Sequence, residues 1–253
     1  MNLSRIIGPA IAGILIIYID TAGTFYLISA CYLGAVLSMA MLKTDRNQTG
    51  RGVNSIMEDI RAGLSYAAGD QAILGLIIIL FVPALFGFPF TALLPAWARE
   101  SLDAQSDGLG ILMMVMGIGA LTGSLILASM KNLAKRGVFL LIIGISWGVV
   151  LTLFSQATSY GSAIFLLLLL GLLSAVFMSL NMTLLQTYST SDMRGRIMSI
   201  SMMTFGAMPL GAVPFGAIAE GIGTPNALCL SGLLLTAFTL IFTLKNRRFR
   251  EIA

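Results

Sequence analysis

Eight long apolar stretches run through this sequence and leave little room for a water-soluble domain. Of its 253 residues, 57% are hydrophobic and only 10% are charged, whereas soluble domains carry about 25% charged residues. A helix needs about 20 mostly apolar residues to cross a bilayer, so eight helices and their connections use the whole length. The fold class is therefore predicted to be an all-α integral membrane bundle. The expected spans are residues 3–19, 22–42, 71–94, 108–130, 137–156, 161–188, 196–219 and 226–244.

The basic residues are divided unequally between the two sides of this predicted bundle. Fourteen of the 15 Lys and Arg residues fall near the two termini or in every second connection, and Arg99 alone falls on the other side. The 11 acidic residues divide six to five, so the bias belongs to Lys and Arg, as the positive-inside rule requires. This pattern predicts a multi-pass protein of the cell (inner or plasma) membrane with both termini in the cytoplasm. Anionic membrane lipid is the expected counter-charge, and nucleic acid is not expected as a partner.

The absence of histidine removes much of the chemistry that an enzyme of this size could use. Without His there is no imidazole for a metal site, a haem or a nucleophile–base pair. Cys31 and Cys229 lie within apolar spans and are expected to be small core residues. A signal peptide at residues 6–19 is the less favoured alternative to a first span, because Gly8-Pro9 opens this stretch and a polar exit follows it. The sequence predicts no metal, no cofactor and no enzyme activity.

The one sizeable connection, residues 43–70, begins with a polar, glycine-containing segment and continues as a predicted amphipathic helix. Ser55 and Glu58 have the spacing of a capping box, and Ile60 and Leu64 follow on one face. Such a helix lies along the membrane surface or packs on other parts of the protein, and the sequence leaves both interpretations open. The segment before Ser55 is expected to be a flexible linker.

Proline interrupts two of the apolar spans. Pro83, Pro89 and Pro95 lie in or just after the third span, and Pro209 and Pro214 lie in the seventh. Each proline removes a backbone donor, so each predicts a kink or a helix end. We expect the third span to end near residue 94.

Polar and small residues inside the apolar spans are the first candidates for function. Asn181, near the middle of the sixth span, needs a partner within the protein, because hydrocarbon offers none. An interhelical hydrogen bond is favoured for Asn181, and a substrate contact is the alternative. Glu220 is interpreted as an interfacial carboxylate in preference to a proton relay. Gly119 and Gly123 form a step of small residues four apart, which allows close helix packing.

Two apolar residues and one further amide complete the set of candidates. Phe88 of the third span and Met113 of the fourth could line a pocket for apolar ligands, since methionine adapts to varied shapes. Core packing or contact with lipid is the other interpretation of both. Gln186 lies near the end of the sixth span, on the same helix as Asn181.

Several segments, taken in order, resemble those of exporters of the major facilitator superfamily. Gly8-Pro9 with Gly13 resembles the Gly-Pro motif of their fifth helix, although Ala12 stands where the first of two adjacent glycines is usual. The amphipathic stretch at residues 59–66 resembles the approach to their seventh helix.

Later segments continue this resemblance in the same order. Residues 108–119 are similar to the start of the eighth helix of these exporters. Gln186, the run at 193–199 and the Gly-Pro-Gly segment at 206–211 are similar to the junction of their tenth and eleventh helices. The branch with the greatest resemblance is the enterobactin-exporter or transmembrane secretion effector group.

The resemblance implies an organisation equivalent to helices five to twelve of a twelve-helix fold. Residues 1–44 correspond to a two-helix remnant of the amino-terminal half, residues 45–70 to a cytoplasmic linker with an amphipathic helix, and residues 71–253 to a complete carboxy-terminal half of six helices. Counterparts of helices one to four are expected to be absent. A missing amino-terminal half is therefore an expected partner.

The resemblance also implies a function. It implies a permease that exports a small amphipathic compound, a drug or a siderophore, by alternating access and with proton coupling. The alternative is a truncated gene product that does not transport, or a membrane interaction subunit. The implied roles are substrate contact for Asn181, Gln186, Phe88 and Met113, cytoplasmic anchoring for Arg194 and Arg196, and helix packing for Gly8, Pro9, Gly13, Gly119 and Gly123.

Overall fold

The computed structural model describes residues 23–39, 41, 53–104, 106–130, 135–246 and 249. These residues form helices joined by short connections, with no β-strand among them, and the predicted all-α bundle is confirmed. The first predicted span, with Gly8, Pro9 and Gly13, lies outside the described residues. The helices are α1 (Gly23–Met39), α2 (Val53–Gly69), α3 (Gln71–Phe86), α4 (Pro89–Leu102), α5 (Ser106–Ser129), α6 (Arg136–Ser155), α7 (Tyr160–Tyr188), α8 (Ser191–Gly206), α9 (Met208–Ile222) and α10 (Thr224–Lys245).

Six membrane-length segments make up the body of the described structure. Helices α5, α6, α7 and α10 each form one segment, while α3 with α4 and α8 with α9 form two interrupted segments. The prediction that the third span ends near residue 94 is wrong, because α4 continues through Pro95 to Leu102. A proline removes only one backbone hydrogen bond and kinks a helix without always ending it. The helix ends instead at Asp103, whose left-handed backbone (φ 50°) lets the Ala104 N–H reach the Ala98 carbonyl at 3.1 Å.

Glycines bring the long helices of the bundle into backbone contact. At Gly171 of α7, an added Cβ would collide with the Met116 carbonyl of α5. Helices α6 and α10 meet reciprocally, because Gly148 lies against the Thr236 backbone and Gly232 lies against the Thr152 backbone. Such close approach replaces the hydrophobic driving force, which is weak between helices already surrounded by lipid.

The two ends of the bundle are tied by different sets of contacts. At one end, Trp97 of α4 donates from Nε1 to the Ser155 carbonyl at 3.0 Å, and Glu100 Oε2 accepts from the Thr224 N–H at 3.0 Å. At the opposite end, Tyr66 Oη accepts from the Thr190 N–H at 3.3 Å. Alternate helix ends are thus brought together, as expected for an antiparallel order.

We call the end of the bundle at which α2 packs the basic end. Arg61, Arg136, Arg194 and Lys245 belong to the helices or helix ends found there, whereas Arg99 lies on α4 near the other end. The tertiary structure therefore brings together basic residues that the sequence places in separate connections. Which side of the membrane this end faces is part of the proposed function below.

Helix α2 packs on the bundle at its basic end. It begins at Val53, slightly before the cap predicted at Ser55, within the usual variation of helix ends. Gly63 faces Ile200 of α8 so closely that a Cβ would lie 2.8 Å from the Ile200 Cδ1 atom. Leu64 is 52% exposed. One side of α2 therefore contacts protein, and Leu64 faces outward.

Helix α1, which covers much of the second predicted span, contrasts with this packed bundle. Tyr26 is 78% exposed and Leu33 is 61% exposed, although both lie in an apolar helix. The assignment of residues 1–44, 45–70 and 71–253 to three parts stays a prediction.

Candidate functional site

The two interrupted membrane segments cross each other at their breaks. The α3–α4 break lies at Gly87-Phe88, and the α8–α9 break lies at Ala207. The ring of Phe88 lies 6.4 Å from that of Phe205, the penultimate residue of α8, between ring centroids. Interrupted helices expose backbone groups at membrane depth, so they need partners from neighbouring elements.

The carbonyls of Leu85 and Phe86, just before the α3–α4 break, are contacted by neighbouring helices. In an unbroken helix the Leu85 carbonyl would accept from residue 89, but proline has no N–H. Gly211 of α9 lies directly against this Leu85 oxygen, and a Cβ at Gly211 would collide with it. The next carbonyl, that of Phe86, accepts a hydrogen bond from the Ser231 hydroxyl of α10. The break is therefore held by α9 on one side and by α10 on another.

Aromatic rings surround the break on the inside of the bundle. Phe88 is buried and lies edge-on to Trp147 of α6, with ring centroids 5.3 Å apart. Trp147 in turn packs on Phe177 of α7 at 5.9 Å. The Trp147 Nε1–H is buried without a hydrogen-bond partner among the described residues. Phe88 thus lies in the packed interior of the bundle.

Asn181 links α7 to α3 within the bundle. Its side chain is fully buried, and Nδ2 donates to the Leu76 carbonyl at 3.1 Å. Its Oδ1 atom has no partner among the described residues. The amide is therefore half satisfied, which leaves one strong acceptor in the bundle interior.

The other predicted substrate-pathway residues differ from one another in burial. Met113 of α5 is half-buried against the core, and Gln186 is exposed at the basic end of α7. Phe88 and Asn181 are buried, so the four residues differ in their accessibility in this conformation. Phe88 lies at the break of α3–α4, and its ring is near that of Phe205 in α8.

Arg194 and Arg196 lie at the basic end, at the start of α8. The Arg194 Nε–H donates to the Gln186 carbonyl at 3.1 Å, and this contact joins the end of α7 to α8. Arg196 Nη1 lies 3.4 Å from the Met193 sulfur, and its Cβ lies beneath Gly63 of α2. Both residues therefore connect helices at this end.

Gly119 and Gly123 of α5 face the backbone of α7. A Cβ at Gly119 would collide with the Leu168 carbonyl, and one at Gly123 would lie 2.6 Å from the Leu172 carbonyl oxygen. At these two positions α5 and α7 approach to backbone contact. This is the packing that a glycine at each position permits.

Sequence reasoning missed two residues that the crossing uses, Ser231 and Trp147. Ser231 is a fully buried hydroxyl within an apolar helix, and that pattern alone could have marked it as an interhelical donor. Trp147 lies within an apolar span, whereas tryptophan in membrane helices is enriched at the interfaces. Its unusual position was the available signal.

The described residues bury no ionisable side chain and contain no cluster of potential metal ligands. Their buried polar side chains are all neutral, and Asn181 is the one amide among them. The chemistry that this interior offers is hydrogen bonding and apolar contact.

Comparisons with known proteins identify the family. The sequence model of a family described as "Transmembrane secretion effector" matches residues 1–252. The chain is also similar to the Staphyloferrin A transporter of Staphylococcus aureus, with 25% identity over 263 aligned positions that cover 99% of this chain. The alignment covers 62% of that relative, so the chain spans under two thirds of its length. Because the family model matches almost every residue, the chain belongs to the transmembrane secretion effector family of the major facilitator superfamily.

Proposed function

We propose that this chain is part of a permease that exports a small amphipathic compound across the cell (inner or plasma) membrane. The six membrane segments from Gln71 to Lys245 form one half of the transporter. The other half also has six helices, and α1 is one of them. The observation that carries this proposal is the crossing of the two interrupted segments, because transporters bind substrate where discontinuous helices meet near the midplane. Substrate movement is coupled to proton entry.

The exposed side of α8–α9 supports a second half as the missing component. Leu210 and Val213 of α9 are 70% and 71% exposed. The break at Ala207 lies on the same segment. If a second half packed against this exposed side of α8–α9, the cavity between the halves would be lined in part by the backbone at the helix break.

A siderophore-like compound is the proposed substrate class. The support is the similarity to the Staphyloferrin A transporter, together with membership of a transmembrane secretion effector family. Met113 and Gln186 are accessible for direct substrate contact. Asn181 and Phe88 would reach a substrate only when α3, α7 and α8 rearrange, since both are buried in this conformation.

The basic end is proposed to face the cytoplasm, with both termini on that side and with Arg194 and Arg196 anchoring it. Single cysteines at Ser191 and Asp103, introduced after replacing Cys31 and Cys229 by alanine, test this orientation in intact cells. Ser191 should resist a membrane-impermeant thiol reagent, and Asp103 should react. The reverse pattern would refute the orientation.

Transport is tested in cells that lack their own siderophore exporter. One strain expresses the chain alone, and a second expresses it fused behind the first four helices of the S. aureus relative. We expect siderophore secretion in the second strain only, and we expect a protonophore to abolish it. Secretion by the chain alone would refute the need for a second half. If neither strain secreted siderophore although both proteins were correctly inserted in the membrane, the alternative of a non-transporting interaction subunit would be favoured.

A further inference from the structure

A cleft of about 300 Å³ lies at the basic end, between α5, α6 and α7. Ser124 and Ala128 of α5 line one part of it, and Ser179 and Thr183 of α7 line another. Arg136, the first residue of α6, completes the polar part of the wall. None of the residues at the helix crossing contributes to it, so the cleft is separate from the proposed transport pathway.

The cleft is electropositive. The Arg136 side chain is half-buried and forms no ion pair within the described part of the chain, and the described wall contains no Asp or Glu. Helix α6 begins beside it, and its N-cap residue Lys135 makes no side-chain capping bond to the first turn. The first N–H groups of a helix lack helical acceptors and carry a partial positive charge. The charge of Arg136 and the start of α6 therefore act in the same direction.

The remaining walls supply one hydroxyl donor and apolar surface. Thr183 Oγ1 already donates to the Ser179 carbonyl at 2.8 Å, whereas the Ser179 hydroxyl makes no bond to any described residue. Leu127 and Leu180 form apolar parts of the wall. A ligand that matches these groups has an anionic oxygen-rich head and an apolar part beside it.

We propose that this cleft binds a phosphate ester, with the Arg136 guanidinium and the Ser179 hydroxyl donating to phosphate oxygens. Arginine suits this task because its planar fork matches phosphate geometry. A phospholipid headgroup and a soluble phosphate ester offer the same anion. Only the lipid has acyl chains to contact Leu127 and Leu180, and the cleft lies among membrane-length helices at one end of the bundle.

The proposal is tested on the 253-residue chain by native mass spectrometry after release from nanodiscs that contain phosphatidylglycerol and phosphatidylcholine. Arg136→Gln should lower retained phosphatidylglycerol about fivefold, and Arg136→Lys should give an intermediate loss, because it keeps the charge but lacks the planar fork. Ala128→Leu keeps the charge but fills the cleft, and it should lower retention similarly. Lys245→Gln is the matched control, because Lys245 is basic, exposed and at the same end but lies outside the cleft; retention should fall less than about twofold.

Equal losses in Arg136→Gln and Lys245→Gln would overturn the proposal, because they would indicate general attraction to anionic lipid. Normal retention in a folded Ala128→Leu variant would overturn it as well. The source of the phosphate is decided by adding millimolar glycerol phosphate. Persistence of the bound lipid assigns the site to phospholipid, and displacement assigns it to a phosphate ester that soluble molecules can supply.

Discussion

The segments α3–α4 and α8–α9 are built alike and packed differently. Each is 32 residues long and is interrupted after a first helix of 16 residues. In the most apolar part of α3–α4, 67% of the residues are buried, whereas the corresponding figure for α8–α9 is 22%. The same kind of interruption therefore occurs once in a mostly buried segment and once in a mostly exposed one, although Ala207 itself is buried.

The difference shows that the interruption and its surroundings have separate origins. Pro89 and Pro209 follow the two breaks, and each removes one helical N–H, which is a local property, although Pro83, Pro95 and Pro214 lie inside helices that continue. Helix α3 packs on α7, α9 and α10, while α8 contacts few elements besides α2, α3 and α7. A buried break is fixed in place by its neighbours. The exposed side of α8–α9, with Leu210 and Val213, stays available for another structural element or for a substrate.

The largest expected effect is the difference in unfolding free energy between a leucine-to-alanine substitution in α3–α4 and one in α8–α9. Leu80→Ala in α3 removes a side chain that is 1% exposed and should lower the free energy of unfolding by about 3 kcal/mol, because the cavity cannot be refilled. Leu210→Ala in α9 removes one that is 70% exposed and should change it by less than about 0.5 kcal/mol. Unfolding by sodium dodecyl sulfate in mixed micelles, followed by circular dichroism, measures both. Equal losses would mean that the α9 surface is covered.

A smaller effect is expected where the two segments touch. Gly211→Ala places a methyl group against the Leu85 carbonyl and should lower the free energy of unfolding by about 2 kcal/mol, since the backbones must separate. Gly216→Ala, on the same helix, points into open space and should be neutral or stabilise by up to about 1 kcal/mol through helix propensity. The same titration compares the two variants. A neutral Gly211→Ala would show that the crossing is not tightly packed.

The smallest effect concerns the hydrogen bond that secures the buried break. Ser231→Ala removes the donor to the Phe86 carbonyl and should cost about 0.6 kcal/mol, the average for interhelical hydrogen bonds in membranes. Ser199→Ala is the control, because its exposed hydroxyl bonds only to the Gly195 carbonyl of its own helix. The control should be unchanged in the unfolding titration. If Ser199→Ala lowered the free energy of unfolding as much as Ser231→Ala, the hydrogen bond from α10 would not be what stabilises the break.

Much of the fold could be predicted because membrane helices leave a strong local signal. The six segments from Gln71 to Lys245 agree with six predicted spans, and the alternation of their ends agrees with the distribution of basic residues. The error at Pro95 arose because a proline can end or bend a helix, and the Asp103 turn that ends α4 depends on its backbone geometry.

The candidate site was less predictable. The requirement that Asn181 find a partner follows from its place in an apolar span, but nothing near it in sequence indicates the Leu76 carbonyl, 105 residues away. The same holds for Ser231 and Phe86, which are 145 residues apart. Whether Phe88 and Met113 contact a substrate stays a proposal, because that depends on which helix faces become accessible during transport.

The sequence by itself determined the membrane class, the order of the spans and which two of them contain prolines that can interrupt a helix. Each follows from local physics: apolar length, the cost of placing Lys and Arg, and the missing proline donor. Only the tertiary structure decided that the two interruptions cross, that Gly211 lies on the Leu85 oxygen and that Ser124, Arg136 and Ser179 share one cleft. The physical reason is that packing inside lipid depends on the fit between distant surfaces, and that fit is a property of pairs of helices.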